Sequence, residues 1–403
     1  MQTIYLDHSA TTPVLPEVLH TMLPFLREHY GNASSIYRIG RESRKAVEEA
    51  RRQVANLIGS ETDEIYFTSG GTEADNMAVF GAVAASGEKG KHIITSRMEH
   101  HAILHPCEEL EKRGYEVTYL SPDDKGLIRV EDLKNAVRDD TILITIMHVN
   151  NEVGTIQPIR EIGQIAREKG IIFHTDAVQS VGKIPVDVKE LGVDLLSLSA
   201  HKIYGPKGVG ALFIRRNTSI APVLFGGGQE RKRRPGTENV PGIVGFGKAA
   251  EIAQRDLAVD RERITYLRDK LIDGILSSIS HTQLNGDRQK RIPHNANFSF
   301  RFVEGESLLL MLDMQNIAAS SGSACTSGST DPSHVLLAMG IPFDVAFGSL
   351  RFTLGKENTE EDIDYVLKVL PPIVERLRAM SPTAIQGQNW GDDKKEGALC
   401  TTR

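Results

Sequence analysis

Cysteine is scarce in this chain of 403 residues: Cys107, Cys325 and Cys400 are the only three, and none has a close partner in sequence. A disulfide framework and a cysteine-rich zinc site are thereby excluded, and a reducing compartment, the cytoplasm, is expected. Neither sign of charge dominates, with 47 Lys+Arg against 53 Asp+Glu for a formal net charge of −6. Bulk attraction to nucleic acid or to an anionic membrane has no basis here, and neither is expected as a partner. No apolar run reaches the roughly 20 residues of a spanning helix. The opening stretch from Met1 to His8 lacks the basic region and apolar core of a targeting segment. What is present is the ordinary balance of a globular enzyme, 40% hydrophobic and 25% charged, in a chain long enough for two domains.

Short β-rich runs alternate with helical ones. Residues 14–58 read as helix broken by a turn from Tyr30 to Ser35, with exposed-helix charge spacing from Arg41 to Ala50. Strands are expected at 65–68, 92–95, 116–120, 141–146, 171–174, 195–198 and 209–214. Several are continuously apolar, as strands covered on both faces are, so an α/β fold with a mostly parallel sheet follows. A long helix from near Val244 to about Ser278 would carry the chain into a smaller α+β domain. That domain would hold strands at 297–300 and 350–354 and a last helix over 359–380. The expected division is a large domain over 15–258, a small domain from 1–14 and 259–380, and a flexible tail over 381–403 with the single Trp390.

Three segments carry chemistry. In 68–76 a strand runs into Gly70-Gly71 and a helix opening with Thr72 and Glu73, where free N–H groups attract a phosphate. In 174–179 Asp176 directly follows an apolar strand, the place where α/β sheets hold their ligands. There it could hold a proton on a ring nitrogen, bind a metal or cap a helix. In 196–210 Lys202 ends a buried run after Ser199 and His201 and precedes a glycine-rich turn. That is the setting of a desolvated amine that condenses with an aldehyde, whereas Lys207 reads as a turn lysine. A phosphate cradle, a carboxylate and a lysine are together the requirements of pyridoxal 5′-phosphate.

Histidines at 100, 101 and 105 invite a metal reading, but no third ligand is evident for His101 and His105, and no metal site is expected. His100 follows a strand on the ligand side, where it could stack on a ring and exchange protons. Arg231, Lys232, Arg233 and Arg234 follow three glycines and read as a mobile anion-binding loop rather than a nucleic-acid patch. Cys325 sits among Ser, Gly, Thr and Ala in 318–330, a composition that cannot build a core. A thiol there can swing to a substrate and away to an acceptor. Arg351 could clamp a carboxylate with paired bonds. Cys107 and Cys400 read as helix-packing and tail residues.

With these residues assembled, the chain resembles the cysteine desulfurases, fold-type I pyridoxal-phosphate transferases of the group that supplies sulfur for iron–sulfur clusters. The likeness covers about residues 1–380. It rests on the segments 5–12, 69–76, Glu99-His100, 149–154, 176–179, 199–202, 231–237, the Cys325 loop and Arg351. The length of that loop resembles the group whose cysteine loop is long and mobile. The resemblance implies that Lys202 carries the cofactor aldehyde and that Asp176 pairs with the ring nitrogen. Gln179 and Asn151 would bond the ring oxygen or the substrate, with His100 stacked on the ring. Gly71, Thr72, Ser199 and His201 would bind the phosphate, with Thr237 arriving from the second subunit of a homodimer. Arg351 and Asn32 would hold the carboxylate of L-cysteine. Lys202 would take the Cα proton and Cys325 the sulfur, as a persulfide handed to an iron–sulfur scaffold protein or another acceptor. A plain pyridoxal-phosphate aminotransferase and a selenocysteine lyase are the alternatives. Tyr37, Lys232 and Pro235 depart from the family pattern, which bears on the substrate channel rather than on the chemistry.

Overall fold

The computed structural model describes residues 3–321 and 332–380. The continuously apolar runs do become strands. In chain order these are β1 (Ile4–Tyr5), β2 (Ile65–Thr68), β3 (His92–Ser96), β4 (Glu116–Leu120), β5 (Thr141–Thr145) and β6 (Ile172–Asp176). They continue as β7 (Leu195–Ser199), β8 (Gly210–Ile214), β9 (Thr282–Asn285), β10 (Asn295–Phe300), β11 (Ile317–Ala318) and β12 (Ser349–Thr353). Seven form one sheet in the order β2-β8-β7-β6-β5-β3-β4. Every residue of β2, β3, β5, β7 and β8 is buried, because helices cover both faces.

The β4-β3-β5-β6-β7 part is parallel, whereas β8 runs antiparallel to both β7 and β2. Two reversals cancel, so β2 points the same way as β7. The carboxyl ends of β2, β3, β5, β6 and β7 therefore open on one edge of the sheet, the edge at which α/β folds bind ligands.

A second core lies around the antiparallel sheet β12-β10-β9, where Phe298, Phe300 and Phe352 are fully buried. Each such ring contributes roughly 1.5–3 kcal/mol of burial. One helix, Val240–Ser278, links the two cores over 39 residues. Its start is capped by Asn239, whose side chain accepts the Gly242 N–H at 3.2 Å. Val240 to Ala253 pack into the large core, and Ile264 to Ile275 into the second. The N-terminal segment joins the second core through Leu6 and the parallel pair β1–β11. Val335, Leu336, Met339 and Ala346 pack into the large core although their neighbours in sequence belong to the small one. Among the described residues no helix is long and apolar enough to cross a membrane.

Candidate active site

The glycine-rich turn after β2 leads into the helix Gly71–Ser86. A Cβ at Gly71 would lie 2.8 Å from Val178 Cγ2, so only glycine leaves room there. Across the opening, the Ser199 hydroxyl at the end of β7 is buried and has no hydrogen-bond partner among the described residues. Thr72 and His201 line the same cavity. Behind the turn, Glu73 accepts the Ser69 N–H at 2.8 Å and pairs with Arg234 at 2.7 Å, which stiffens the cradle. Free N–H groups, an unpaired hydroxyl and open space next to glycine fit a phosphate.

Asp176 closes β6 with its side chain buried. Its Oδ1 accepts the Val178 N–H at 2.9 Å. Burial pushes its pKa up to about 6, against the opposing pull of that bond and of Lys202. Gln179 donates from Nε2 to Ser9 O at 3.0 Å, and its buried Oε1 has no partner among the described residues. Lys202, in the short turn after β7, donates from Nζ to Ser9 O and to Ala10 O, the latter at 2.7 Å. His100 starts the helix His101–Lys112, and its Nδ1 accepts the Ala102 N–H at 3.1 Å. Burial, then the positive charge of Lys202, holds the His100 imidazole down at about 4, so it is neutral near pH 7.

These side chains share one cavity of about 310 Å³, within the range of small-molecule sites. It is lined by Gly71, Thr72, His100, Asn151, Asp176, Gln179, Ser199, His201, Lys202 and Arg351. The orphaned Ser199 Oγ and Gln179 Oε1 call for hydrogen bonds from something in the cavity. A phosphorylated pyridinium aldehyde meets each demand. The phosphate suits the glycine cradle, a ring N–H suits Asp176, and the aldehyde suits Lys202.

Arg351 reaches the cavity from β12. It donates from Nη1 to Asn151 O at 3.0 Å and from Nη2 to Asp7 Oδ1 at 2.8 Å, and its buried Nε has no hydrogen bond among the described residues. Its backbone bonds Ser320 in both directions, at 2.6 and 3.2 Å. On the far side of 322–331, Ser333 donates to the Glu152 carboxylate and His334 Nε2 meets Glu99 O at 3.0 Å. Cys325 lies outside the described residues, yet the chain enters and leaves its segment beside Arg351, Glu152 and Glu99.

Two expected substrate or cofactor residues are not brought to this cavity by the same chain. Asn32 is exposed, and its Oδ1 accepts the Ser34 N–H at 2.8 Å. Thr237 is also exposed, away from the cavity lining. The basic quartet differs from the expected anion-binding loop, because arginine finds partners within the chain wherever carbonyls and rings are close. Arg231 donates to Asp63 O at 2.8 Å, Arg233 to Ile220 O at 2.8 Å, and both lie over the Tyr66 ring. Arg234 is committed to Glu73.

The histidine cluster gains a fourth member. The His101 ring centroid is 4.8 Å from His105 and 4.9 Å from His334, but no group among the described residues could hold a metal ion. Cys107 is buried, and burial pushes its thiol up to about 12, which makes it inert. Sequence reasoning missed three features: the Ser9 and Ala10 carbonyls holding Lys202, Asp7 holding Arg351, and Asp75 in the cavity wall. Only Asp75 had a local signal, since it stands four residues after Gly71 on the same helix face.

The sequence matches the aminotransferase class-V family over residues 4–366. A cysteine desulfurase IscS of Dictyoglomus turgidum is 57% identical over 97% of this chain and 99% of its own length. The protein of the same name from Methanosarcina thermophila is 56% identical over 94% of both chains. Among solved structures, a NifS-like protein superposes with a TM-score of 0.88 at 39% identity, covering 93% of this chain and all of that one. SspA in complex with cysteine superposes with a TM-score of 0.79 at 38% identity, covering 87% of this chain and 99% of that one.

Proposed function

The chain belongs to the aminotransferase class-V family and is a cysteine desulfurase within it, and from that premise we propose how its residues act. The observation that carries the proposal is the convergence, at one sheet edge, of Lys202, Asp176 and the Gly71 cradle with Arg351 at the root of the Cys325 segment. Pyridoxal 5′-phosphate is the cofactor this set would hold, and it supplies an electron sink for the charge that develops at the substrate Cα. Gly71, Thr72, Ser199 and His201 would take its phosphate, Asp176 its ring N–H, Gln179 its ring oxygen, and Lys202 its aldehyde. His100 would stack on its ring.

L-cysteine is the proposed substrate, supported by the solved relative that holds cysteine. Arg351 binds its carboxylate through the guanidinium edge that Asp7 and Asn151 leave open. The neutral His100 carries its ring proton on Nε2, because Nδ1 accepts the Ala102 N–H, and would donate it toward the bound substrate. Lys202 would remove the Cα proton, with the Ser9 and Ala10 carbonyls holding its amine in place. Cys325 as thiolate then attacks the substrate sulfur. An S–S bond forms, the C–S bond breaks, and protons returned to the carbon skeleton give L-alanine. The sulfur stays on Cys325 as a persulfide for an iron–sulfur scaffold protein or another acceptor.

A homodimer is part of the proposal. Asn32 and Thr237 lie in stretches that also display Ile36 and Phe225, each 88% exposed, and a partner subunit would cover these and receive both polar residues. A reducing cytoplasm is proposed from the cysteine usage. Borohydride reduction followed by peptide mapping tests the cofactor assignment. A covalent label on Lys202 is expected, and a label elsewhere or none would refute it.

A further inference from the structure

Among the described residues, Asp75 is the one acidic group in the cavity wall that the reaction above does not use. It sits on the helix Gly71–Ser86, 1% exposed, and its Oδ1 has no hydrogen-bond partner among the described residues. The nearest basic atom is His174 Nε2 at 3.7 Å. That imidazole carries no charge to offer. Both its nitrogens are engaged by hydroxyls, Nδ1 by Thr145 at 2.9 Å and Nε2 by Ser197 at 3.0 Å, and burial holds it down at about 3. The chain thus places two buried carboxyls, Asp75 and Asp176, on one cavity, and no cation among the described residues lies at hydrogen-bond distance from Asp75.

Two adjacent buried carboxylates cannot both ionise at neutral pH, since each loses its hydration and repels the other. Asp176 has compensation in the Val178 N–H and the nearby Lys202, whereas Asp75 has only the Ser197 hydroxyl. The other titratable groups acting on the pair are Glu99, which also disfavours ionisation, and His174. We propose that Asp75 and Asp176 form one buried carboxyl pair holding a single proton, kept on Asp75, so that Asp176 alone presents negative charge to the cofactor ring. Burial and the Asp176 charge both push the Asp75 carboxyl well above its usual range, in agreement with that placement. Asp75 is then a positioning residue. It sets the charge that the ring nitrogen meets, and the wire Thr145–His174–Ser197 fixes the hydroxyl against which it rests. The inference rests on the pyridoxal-phosphate reading of the site.

The test compares the holoenzyme with Asp75→Asn, which mimics a neutral carboxyl. Infrared difference spectra at neutral pH should show a protonated-carboxyl band in the parent that Asp75→Asn lacks. The pH midpoint of the bound cofactor's visible absorption should differ between the two by less than about 0.3 units, because no charge has been removed. A midpoint displaced downward by about one unit or more would show a charged Asp75 and overturn the proposal, as would an unaltered carboxyl band. Ser197→Ala provides a second variant if Asp75→Asn does not fold, and it should retain the band. Its loss there would overturn the pair as drawn. The carboxyl band is read from the protein itself, so a failure of the cofactor reading, seen as absent visible absorption, stays distinguishable.

Discussion

The Arg351 guanidinium donates to Asp7 Oδ1 at 2.8 Å, across 344 residues of sequence. The same side chain donates to Asn151 O at 3.0 Å, so two fixed acceptors orient it before any substrate arrives. Replacing Arg351 by Lys keeps the charge and removes the planar fork. The expected result is a rise in KM for L-cysteine of roughly 10- to 100-fold, in line with about 1.5–3 kcal/mol for a charge-assisted bond. Asp7→Asn should raise KM by a smaller factor, about 3- to 10-fold, with kcat changed less. Steady-state kinetics on both variants checks the pair.

Gly71→Ala tests the phosphate cradle. The added methyl would meet Val178 Cγ2 at 2.8 Å. An overpacked contact costs about 1–3 kcal/mol, so cofactor affinity should fall by roughly 5- to 100-fold without unfolding the chain. Adding Val178→Ala to that variant should recover most of the loss, as read by titrating cofactor into the cofactor-free protein.

Glu99 gives a pH prediction with a definite sign. It is buried behind His100, accepts the Met147 N–H at 3.0 Å and the Ser96 hydroxyl at 2.6 Å, and burial raises its pKa to about 8. The folded chain binds this proton more tightly than the unfolded chain. The resulting stabilisation is full below about 4.5 and is lost as pH rises through about 8. Glu99→Gln lacks this dependence. Its stability relative to the parent should therefore improve from pH 5 to pH 9, by up to about a few kcal/mol, in denaturant titrations at each pH.

The proposed sharing of Thr237 between subunits predicts complementation. Mixing Lys202→Ala chains with Thr237→Ala chains should give hybrid dimers with one intact site, because an unaltered Thr237 then meets an unaltered Lys202. Activity above that of either variant alone is expected. An unchanged activity, with subunit exchange shown by mass, would argue that Thr237 serves no partner site.

What the sequence reveals follows the range of the interactions concerned. Asp176 and Lys202 are legible because the first closes an apolar strand and the second stands three residues beyond one, and strand ends in parallel sheets face the ligand edge. The Gly71 turn is legible for the same reason. The Asp7–Arg351 pair and the Ser9 and Ala10 carbonyls against Lys202 join positions far apart in sequence, and no periodicity reports such contacts. Arg231 and Arg233 of the basic quartet read as free charges because their partners, the Asp63 and Ile220 carbonyls and the Tyr66 ring, are assembled only by the fold. The antiparallel β8 is likewise invisible locally, since strand direction is set by pairing and not by composition.

The central claim is that sulfur leaves L-cysteine by moving onto Cys325. Mass analysis of the chain after a single turnover with L-cysteine tests it most directly. One added sulfur on the peptide containing Cys325, in step with one L-alanine released, is the predicted result. It should be absent in Cys325→Ala, which should keep the cofactor's colour. Turnover of L-cysteine by Cys325→Ala at the parent rate, or added sulfur on Cys107 or Cys400 instead, would contradict the account.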